Sequence, residues 1–162
     1  MSDSDLQHRL AAALQKASDT RDLLIGECVL NGCADVFRRQ FSKAGAIIVA
    51  DGNTFEAAGR EIFDRFKRAG IDLHGNFVFD EPHLHAEMDN VERIEQTIRS
   101  IPVIPVAVGS GTINDLTKLA AHRCGRSYMC VATAASMDGY TAFGASITCQ
   151  GSKQTFTCPA PR

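Results

Sequence analysis

Short apolar runs of strand length alternate along this chain with longer segments of helical periodicity. The apolar runs cover residues 46–50, 76–79, 102–108 and 128–132, and the helical segments between them cover 55–69, 88–99 and 112–124. Strands that alternate with helices of about a dozen residues favour a parallel sheet with helices on both faces. Such a sheet binds its ligands at the carboxyl ends of the strands.

The ends of the chain add elements to this α/β core. Helical spacing predicts helices over residues 6–14 and 33–41, with a short strand at 23–25 between them. Residues 145–149 and 154–157 flank a turn that contains Gly151, and they predict a C-terminal β-hairpin.

Composition limits the classes of protein to which the chain can belong. With 162 residues, 44% of them hydrophobic, and a formal charge of −2, one globular domain without a nucleic-acid or membrane partner is expected. No apolar run approaches the roughly 20 residues that span a bilayer, and the acidic N-terminus does not resemble a secretory signal, so we expect a cytoplasmic protein. The six cysteines form no Cys-x-x-Cys pair, which favours free, mostly buried thiols.

A glycine loop, Gly109-Ser110-Gly111-Thr112-Ile113-Asn114-Asp115, joins an apolar strand to the next helix. Glycine allows a positive φ and lets the backbone approach a ligand, and the free N–H groups of the helix N-terminus can hold a pyrophosphate. The spacing differs from the common G-x-G-x-x-G fingerprint. A tight strand–helix turn capped by Thr112 is the alternative interpretation.

Two further strand ends carry polar groups. Asp51 follows the run at 46–50, where an acidic residue can hold a ribose hydroxyl and would repel a 2′-phosphate, which favours NAD over NADP. The segment from Thr133 to Tyr140 follows the run at 128–132 and should emerge beside the glycine loop. Asp138 in this segment could bind a hydroxyl, although Asp138-Gly139 also suits a simple turn.

The remaining candidate side chains have ordinary explanations. His83 and His85 could contact a metal if their segment is extended, but a solvated loop is expected. His122 is expected on the surface of a helix, and Lys153 on the exposed hairpin.

Several of these motifs resemble the glycerol-1-phosphate dehydrogenases. The similar stretches are 105–118, 133–140 and 153–161, and the likeness runs from about residue 46 to the end of the sequence. This family belongs to the superfamily of iron-containing alcohol dehydrogenases, glycerol dehydrogenases and 3-dehydroquinate synthases.

The resemblance implies a Rossmann-like, NAD- or NADP-binding N-terminal domain. Positions 111–115 would bind the pyrophosphate and nicotinamide side, Asp51 the adenosine ribose, and Asp138 a substrate hydroxyl. The cofactor-binding positions implied in this way, together with the first glycine of the loop, are Asp51, Gly109, Gly111, Thr112, Ile113, Asn114, Asp115, Thr133, Ala134, Ala135 and Ser136. A cofactor-binding serine expected four residues after Asp138 is Ala142 here.

The resemblance also sets expectations for the rest of the enzyme. The family reduces dihydroxyacetone phosphate reversibly to sn-glycerol 1-phosphate, with a divalent zinc, nickel or iron ion held by a second, all-helical domain. We expect the metal ligands to lie beyond Arg162, so that residues 1–162 hold no metal and no catalytic residue and show no turnover alone. The complete enzyme is expected to be a homodimer that acts on a small phosphorylated polyol.

Two other functions remain open from the sequence. One is a lyase similar to 3-dehydroquinate synthase, which would require more phosphate-binding lysines after Asp138 than the single Lys153. The other is a nucleotide-binding domain without catalysis.

Overall fold

The computed structural model describes residues 3–137 and 139–162 and contains a four-stranded parallel sheet. The strands are β1 (Gly45–Asp51), β2 (Leu73–Phe79), β3 (Val103–Gly109) and β4 (Met129–Ala132). Their order in the sheet is β2-β1-β3-β4, and every neighbouring pair is parallel. The predicted α/β fold with a parallel sheet is therefore confirmed.

Helices cover both faces of the sheet and connect its strands. Their bounds are α1 Asp3–Lys16, α2 Cys33–Phe41, α3 Gly52–Thr54, α4 Arg60–Arg68, α5 Met88–Ile98 and α6 Gly111–Arg123. A π-helical segment, Phe55–Gly59, joins α3 to α4, and 3-10 turns occupy Val29–Gly32 and Gly139–Thr141. The predicted helices are all present, with ends shifted by a few residues at most.

Two hydrophobic cores lie on opposite faces of the sheet. The alternation of side chains in β1 sends Ile47 and Val49 into the core with α5 and α6, and Ile48 into the core with α2 and α4. All three side chains are at most 2% exposed. A strand buried on both faces must be apolar at every position, which explains the uninterrupted run.

The C-terminal hairpin packs beside α6 and is separate from the sheet. Strands β5 (Ala145–Cys149) and β6 (Ser152–Phe156) pair antiparallel around Gly151, whose φ is +75°. The backbone N–H of Thr148 donates to the carbonyl of Ala86 at 2.7 Å. The predicted hairpin is confirmed, and it extends the core on the α5–α6 face.

The strand predicted at residues 23–25 is wrong. This segment forms neither helix nor strand, and Leu24 and Ile25 remain 42% and 50% exposed. A run of three apolar residues has no periodicity that could define a strand, and it forms no ladder with a strand of the sheet. Within the described ranges, no helix is long and apolar enough to cross a lipid bilayer.

The prediction of free cysteine thiols is confirmed, and the prediction that most of them are buried is confirmed only in part. All six thiols are free; Cys33 and Cys158 are buried, three others are half-buried, and Cys28 is exposed. Burial raises the pKa of the Cys130 thiol to about 12, so this group stays protonated at neutral pH.

Candidate functional site

A cleft opens at the carboxyl ends of β1 and β3, and the connections that follow these two strands lead towards opposite edges of the sheet. The strand that follows β1 in the chain lies on one side of it, and β3 lies on the other. Such a switch point is where open α/β sheets bind ligands. The cavity here measures about 260 Å³, and its lining includes Asp51, Asn53, Asp80, Glu81, Ser110 and Thr112.

At both glycines of the loop, a side chain would come close to another group. Neither has a positive φ, so the expectation from the sequence that glycine is needed here for a positive φ is wrong. A Cβ on Gly109 would lie 2.5 Å from the Cβ of Ile113, and a Cβ on Gly111 would lie 2.4 Å from the Sδ of Met137. Gly109 therefore allows α6 to pack closely against β3, and Gly111 allows a neighbouring loop to approach the helix N-terminus.

Helix α6 presents free backbone donors next to the cleft. Its N-cap is Ser110, which makes no side-chain capping bond, so Thr112 does not cap the turn. The N–H of Asn114 donates to the carbonyl of Ser110 at 3.0 Å. Helix geometry leaves the preceding N–H groups of Gly111, Thr112 and Ile113 without intrahelical acceptors. Together with the helix dipole, they suit an anion.

The loop at residues 133–137 lies against the glycine loop, as expected from strand order. The N–H of Thr133 donates to the carbonyl of Gly109 at 3.2 Å, and Met137 approaches Gly111. The hydroxyl of Tyr140 contacts both backbone groups of Ala134. Ala135 and Ser136 form an exposed turn in the same loop. Asp138 lies outside the described residues, so its proposed substrate contact stays a prediction.

Asp51 lies in the cleft and also begins the helix that follows β1. Its Oδ1 accepts the N–H of Thr54 at 2.9 Å, and its own N–H donates to the Oγ1 of Thr54 at 3.1 Å. This capping box fixes the carboxylate at the strand end and leaves the second oxygen, Oδ2, available to the cleft.

Asn114 and Asp115 direct their side chains into the protein. Asn114 is fully buried, and its Oδ1 accepts the hydroxyl of Tyr128 at 2.9 Å. The Oδ2 of Asp115 accepts the N–H of Ser146 at 3.1 Å, which ties the hairpin to α6. Burial raises the pKa of Asp115 above its usual range. Any contact between Asn114 and a cofactor would have to involve its backbone.

Two residues that shape the site were not singled out from the sequence. One is Tyr140, and the other is Lys118, whose side chain is only 1% exposed. The ammonium of Lys118 donates to the carbonyls of Ala142 at 2.8 Å and Gly144 at 3.0 Å, and lies 3.9 Å from Asp115. The available signal was the position of Lys118 within an otherwise apolar stretch of α6, three residues after Asp115.

The side of the cleft near Asp51, where the adenosine of a cofactor is expected, is acidic. Asp51, Asp80 and Glu81 line it, and the hydrogen bond from Arg93 holds the pKa of Glu81 below its usual range. Arg93 also lies over the ring of Phe79, with its guanidinium carbon 5.0 Å from the ring centroid. Arg93 thereby links the loop after β2 to α5.

The described residues do not fit a metal centre. Across residues 3–137 and 139–162, no three His, Cys, Asp or Glu side chains come together in a way that could hold an ion. His83 and His85 are exposed in the loop before α5, and His122 and Lys153 are exposed as expected. The site therefore consists of backbone donors, hydroxyls and the carboxylates of Asp51, Asp80 and Glu81.

Comparison with known proteins gives consistent matches over most of the chain. Residues 24–162 match the family model described as iron-containing alcohol dehydrogenase. The chain is 35% identical to a glycerol-1-phosphate dehydrogenase [NAD(P)+] of Halalkalibacterium halodurans, over 70% of the chain and 29% of that protein. It is 32% identical to the enzyme of the same name from Pyrococcus furiosus, over 87% of the chain and 39% of that protein.

Solved structures of the same fold include glycerol dehydrogenase from Schizosaccharomyces pombe. That match has a TM-score of 0.70 at 18% identity and covers 90% of this chain and 39% of the other. A 2-epi-5-epi-valiolone synthase from Streptomyces hygroscopicus, solved with NAD+ and Zn2+, matches with a TM-score of 0.69 at 18% identity, over 86% of this chain and 41% of that one. The chain thus spans 29% to 41% of the length of these proteins.

Proposed function

Because this chain belongs to the iron-containing alcohol dehydrogenase family, we propose that it is the dinucleotide-binding part of an NAD(P)-dependent sn-glycerol-1-phosphate dehydrogenase. The observation that carries the proposal is the pairing of two loops beside the switch point. The hydrogen bond from Thr133 to Gly109 places the 133–137 loop beside the free N-terminus of α6. The relatives that share this segment are named for the same reaction.

Each part of the cleft suits a different part of the dinucleotide. The N–H groups of Gly111, Thr112 and Ile113 would donate to the pyrophosphate. The Asp51 carboxylate would accept the hydroxyls of the adenosine ribose. The 133–136 segment would line the nicotinamide side, where the bound cofactor donates or accepts a hydride.

Pyrophosphate binding can be tested without loss of stability. Thr112→Glu places a carboxylate in the first turn of α6, where the helix dipole favours it. The same charge would repel a pyrophosphate, and at about 5 Å this repulsion weakens binding at least ~10-fold. We expect calorimetric titration with NADH to show this loss, while Thr112→Gln, of the same size but neutral, binds within about threefold of wild type.

The outcome for wild type decides the proposal. Absence of NADH binding at millimolar concentration would refute it, and equal affinities for the Glu and Gln variants would refute the assigned place of the pyrophosphate. Because no turnover is expected from residues 1–162 alone, the substrate is tested by calorimetric titration of dihydroxyacetone phosphate into the NADH-saturated complex. Binding of dihydroxyacetone phosphate, but not of dihydroxyacetone, would support a phosphorylated polyol, and equal behaviour of the two compounds would contradict it.

We further propose that Asp51 makes the chain prefer NADH to NADPH. Asp51→Asn retains an oxygen for the Thr54 N–H and removes the negative charge that would face a 2′-phosphate. The ratio of NADPH to NADH dissociation constants should fall about 10-fold in this variant. Asp80→Asn, which removes one exposed charge from the same cleft, is the matched control. An equal fall in both variants would show that overall charge, and not Asp51, sets the preference.

A further inference from the structure

Resting on the proposed function, we propose that Tyr140 is a positioning residue that holds the 133–137 loop in the form that receives the cofactor. Its hydroxyl accepts the N–H of Ala134 at 3.2 Å and donates to the carbonyl of the same residue at 3.0 Å. One side-chain oxygen therefore satisfies both backbone groups of a residue six positions earlier. Ala134 is half-buried, so these groups are partly shielded from water.

The clamped residue lies between the two contacts that join this loop to the glycine loop. On one side, the Thr133 N–H is bonded to Gly109, and on the other side Met137 packs at Gly111. Between these two points the hydroxyl of Tyr140 supplies the bonds that fix the backbone at Ala134. A change in this clamp would alter the distance between the loop and the N-terminus of α6, where the pyrophosphate is proposed to bind.

Tyr140 is itself anchored to the helix that carries the anion site. It lies in the 3-10 turn Gly139–Thr141, which the Ala142 N–H closes by donating to Gly139 at 3.1 Å. The carbonyl of Ala142 accepts the buried ammonium of Lys118, which belongs to α6. The 133–137 loop and the anion site are thus both attached to α6, and Tyr140 links the loop to this helix.

The test removes one oxygen atom. Tyr140→Phe keeps the ring and its packing but leaves both backbone groups of Ala134 without this partner. Loss of these hydrogen bonds should raise the dissociation constants of NADH and ADP-ribose, which both contain the pyrophosphate, about fivefold to tenfold. Adenosine monophosphate, which relies on the Asp51 side of the cleft, should bind within about twofold of wild type. The melting temperature is expected to stay close to the wild-type value.

The chain provides a matched control in its other tyrosine. Tyr128→Phe makes the same chemical change, but its hydroxyl is bonded to the buried Asn114 side chain inside the core. This variant should lower the melting temperature and leave all three dissociation constants within about twofold of wild type. A role for Tyr140 limited to general stability would give Tyr140→Phe the same pattern as this control.

Amide hydrogen exchange tests the clamp without any ligand. In Tyr140→Phe the Ala134 amide and its neighbours in 133–137 should exchange faster, while strands β1 and β3 exchange as in wild type. Unchanged exchange in the loop, or an equal loss of affinity for adenosine monophosphate, would overturn the positioning role. If wild type binds no NADH, the proposed function and the purpose of the clamp both fail. Exchange would then still show whether the hydroxyl orders the loop.

Discussion

The tight packing of Gly109 against Ile113 allows a specific prediction about two glycines that look equivalent in the sequence. In Gly109→Ala the new Cβ would lie 2.5, 2.7 and 2.9 Å from the Cβ, Cγ1 and Cγ2 of Ile113. Carbon atoms prefer separations of about 3.5–4.0 Å, so α6 would have to shift by roughly 1 Å. Ile113 is fully buried and stiff at χ1, so it cannot rotate away at low cost.

The expected loss follows from the cost of overpacking. Such substitutions in a well-packed core destabilise by about 1–3 kcal/mol. For a domain of this size, each kcal/mol lowers the melting temperature by roughly 2–4 °C, so Gly109→Ala should melt about 2–12 °C below wild type. Gly111→Ala should cost less, because its clash is with the Sδ of the flexible Met137 side chain.

Urea unfolding of second-site variants tests whether the contacts with Ile113 and Met137 cause these losses of stability. Met137→Ala removes the atom that meets a Cβ at position 111, so it should abolish most of the Gly111→Ala penalty. Ile113→Ala keeps the Cβ that lies 2.5 Å away, so more than about half of the Gly109→Ala penalty should persist in that background. Full rescue of Gly109→Ala by Ile113→Ala would show that the Cβ contact is not the source of the loss.

Three further predictions concern the elements around the site. Burial raises the pKa of Asp115, so its contribution to stability is full below the unfolded value of 3.8 and is lost as the pH rises through the folded pKa. Asp115→Asn, which can still accept the Ser146 N–H, should therefore gain in melting temperature relative to wild type as the pH rises from about 4 to 7; a constant difference would contradict this. Lys118→Met removes a buried ammonium with two carbonyl acceptors and should cost about 3 kcal/mol in urea unfolding, with faster amide exchange in 142–148; exchange at the wild-type rate would exclude the tie. Arg126 donates from Nη1 to the carbonyls of Ile101 and Val103 and from Nη2 to the carbonyl of Arg99. Because the single Nζ of lysine cannot reproduce this two-nitrogen geometry, Arg126→Lys should cost roughly 1–2 kcal/mol by the same measurement, unlike a surface Arg→Lys change.

The sequence predicted most of the fold because the fold depends on local patterns. Uninterrupted apolar runs of strand length, such as 46–50, are typical of strands buried on both faces, and the helices between them carry their own periodicity. The segment at 23–25 was misassigned because three apolar residues satisfy several patterns equally. A strand at this position would need a neighbouring strand with which to pair, and no local sequence pattern indicates such a partner.

The candidate site could be predicted in position but only partly in its interactions. Two loops that follow neighbouring parallel strands must emerge at the same edge, so the proximity of Gly109 and Thr133 followed from strand order. The partners of Asp115 and Lys118 lie 24–31 residues away, beyond any helical or strand period. Both side chains therefore looked like ordinary helix residues in the sequence.

The sequence by itself determined the alternation of elements, the hairpin and the glycine spacing, because each is written in residues that are close along the chain. Tertiary structure decided why those glycines are needed, since the atoms that a Cβ would meet belong to α6 and to the loop after β4. It also decided that Tyr140 closes on Ala134 and that Lys118 secures the segment after it. These contacts form only when separate segments of the chain pack together, and residue periodicity does not encode which segments do so.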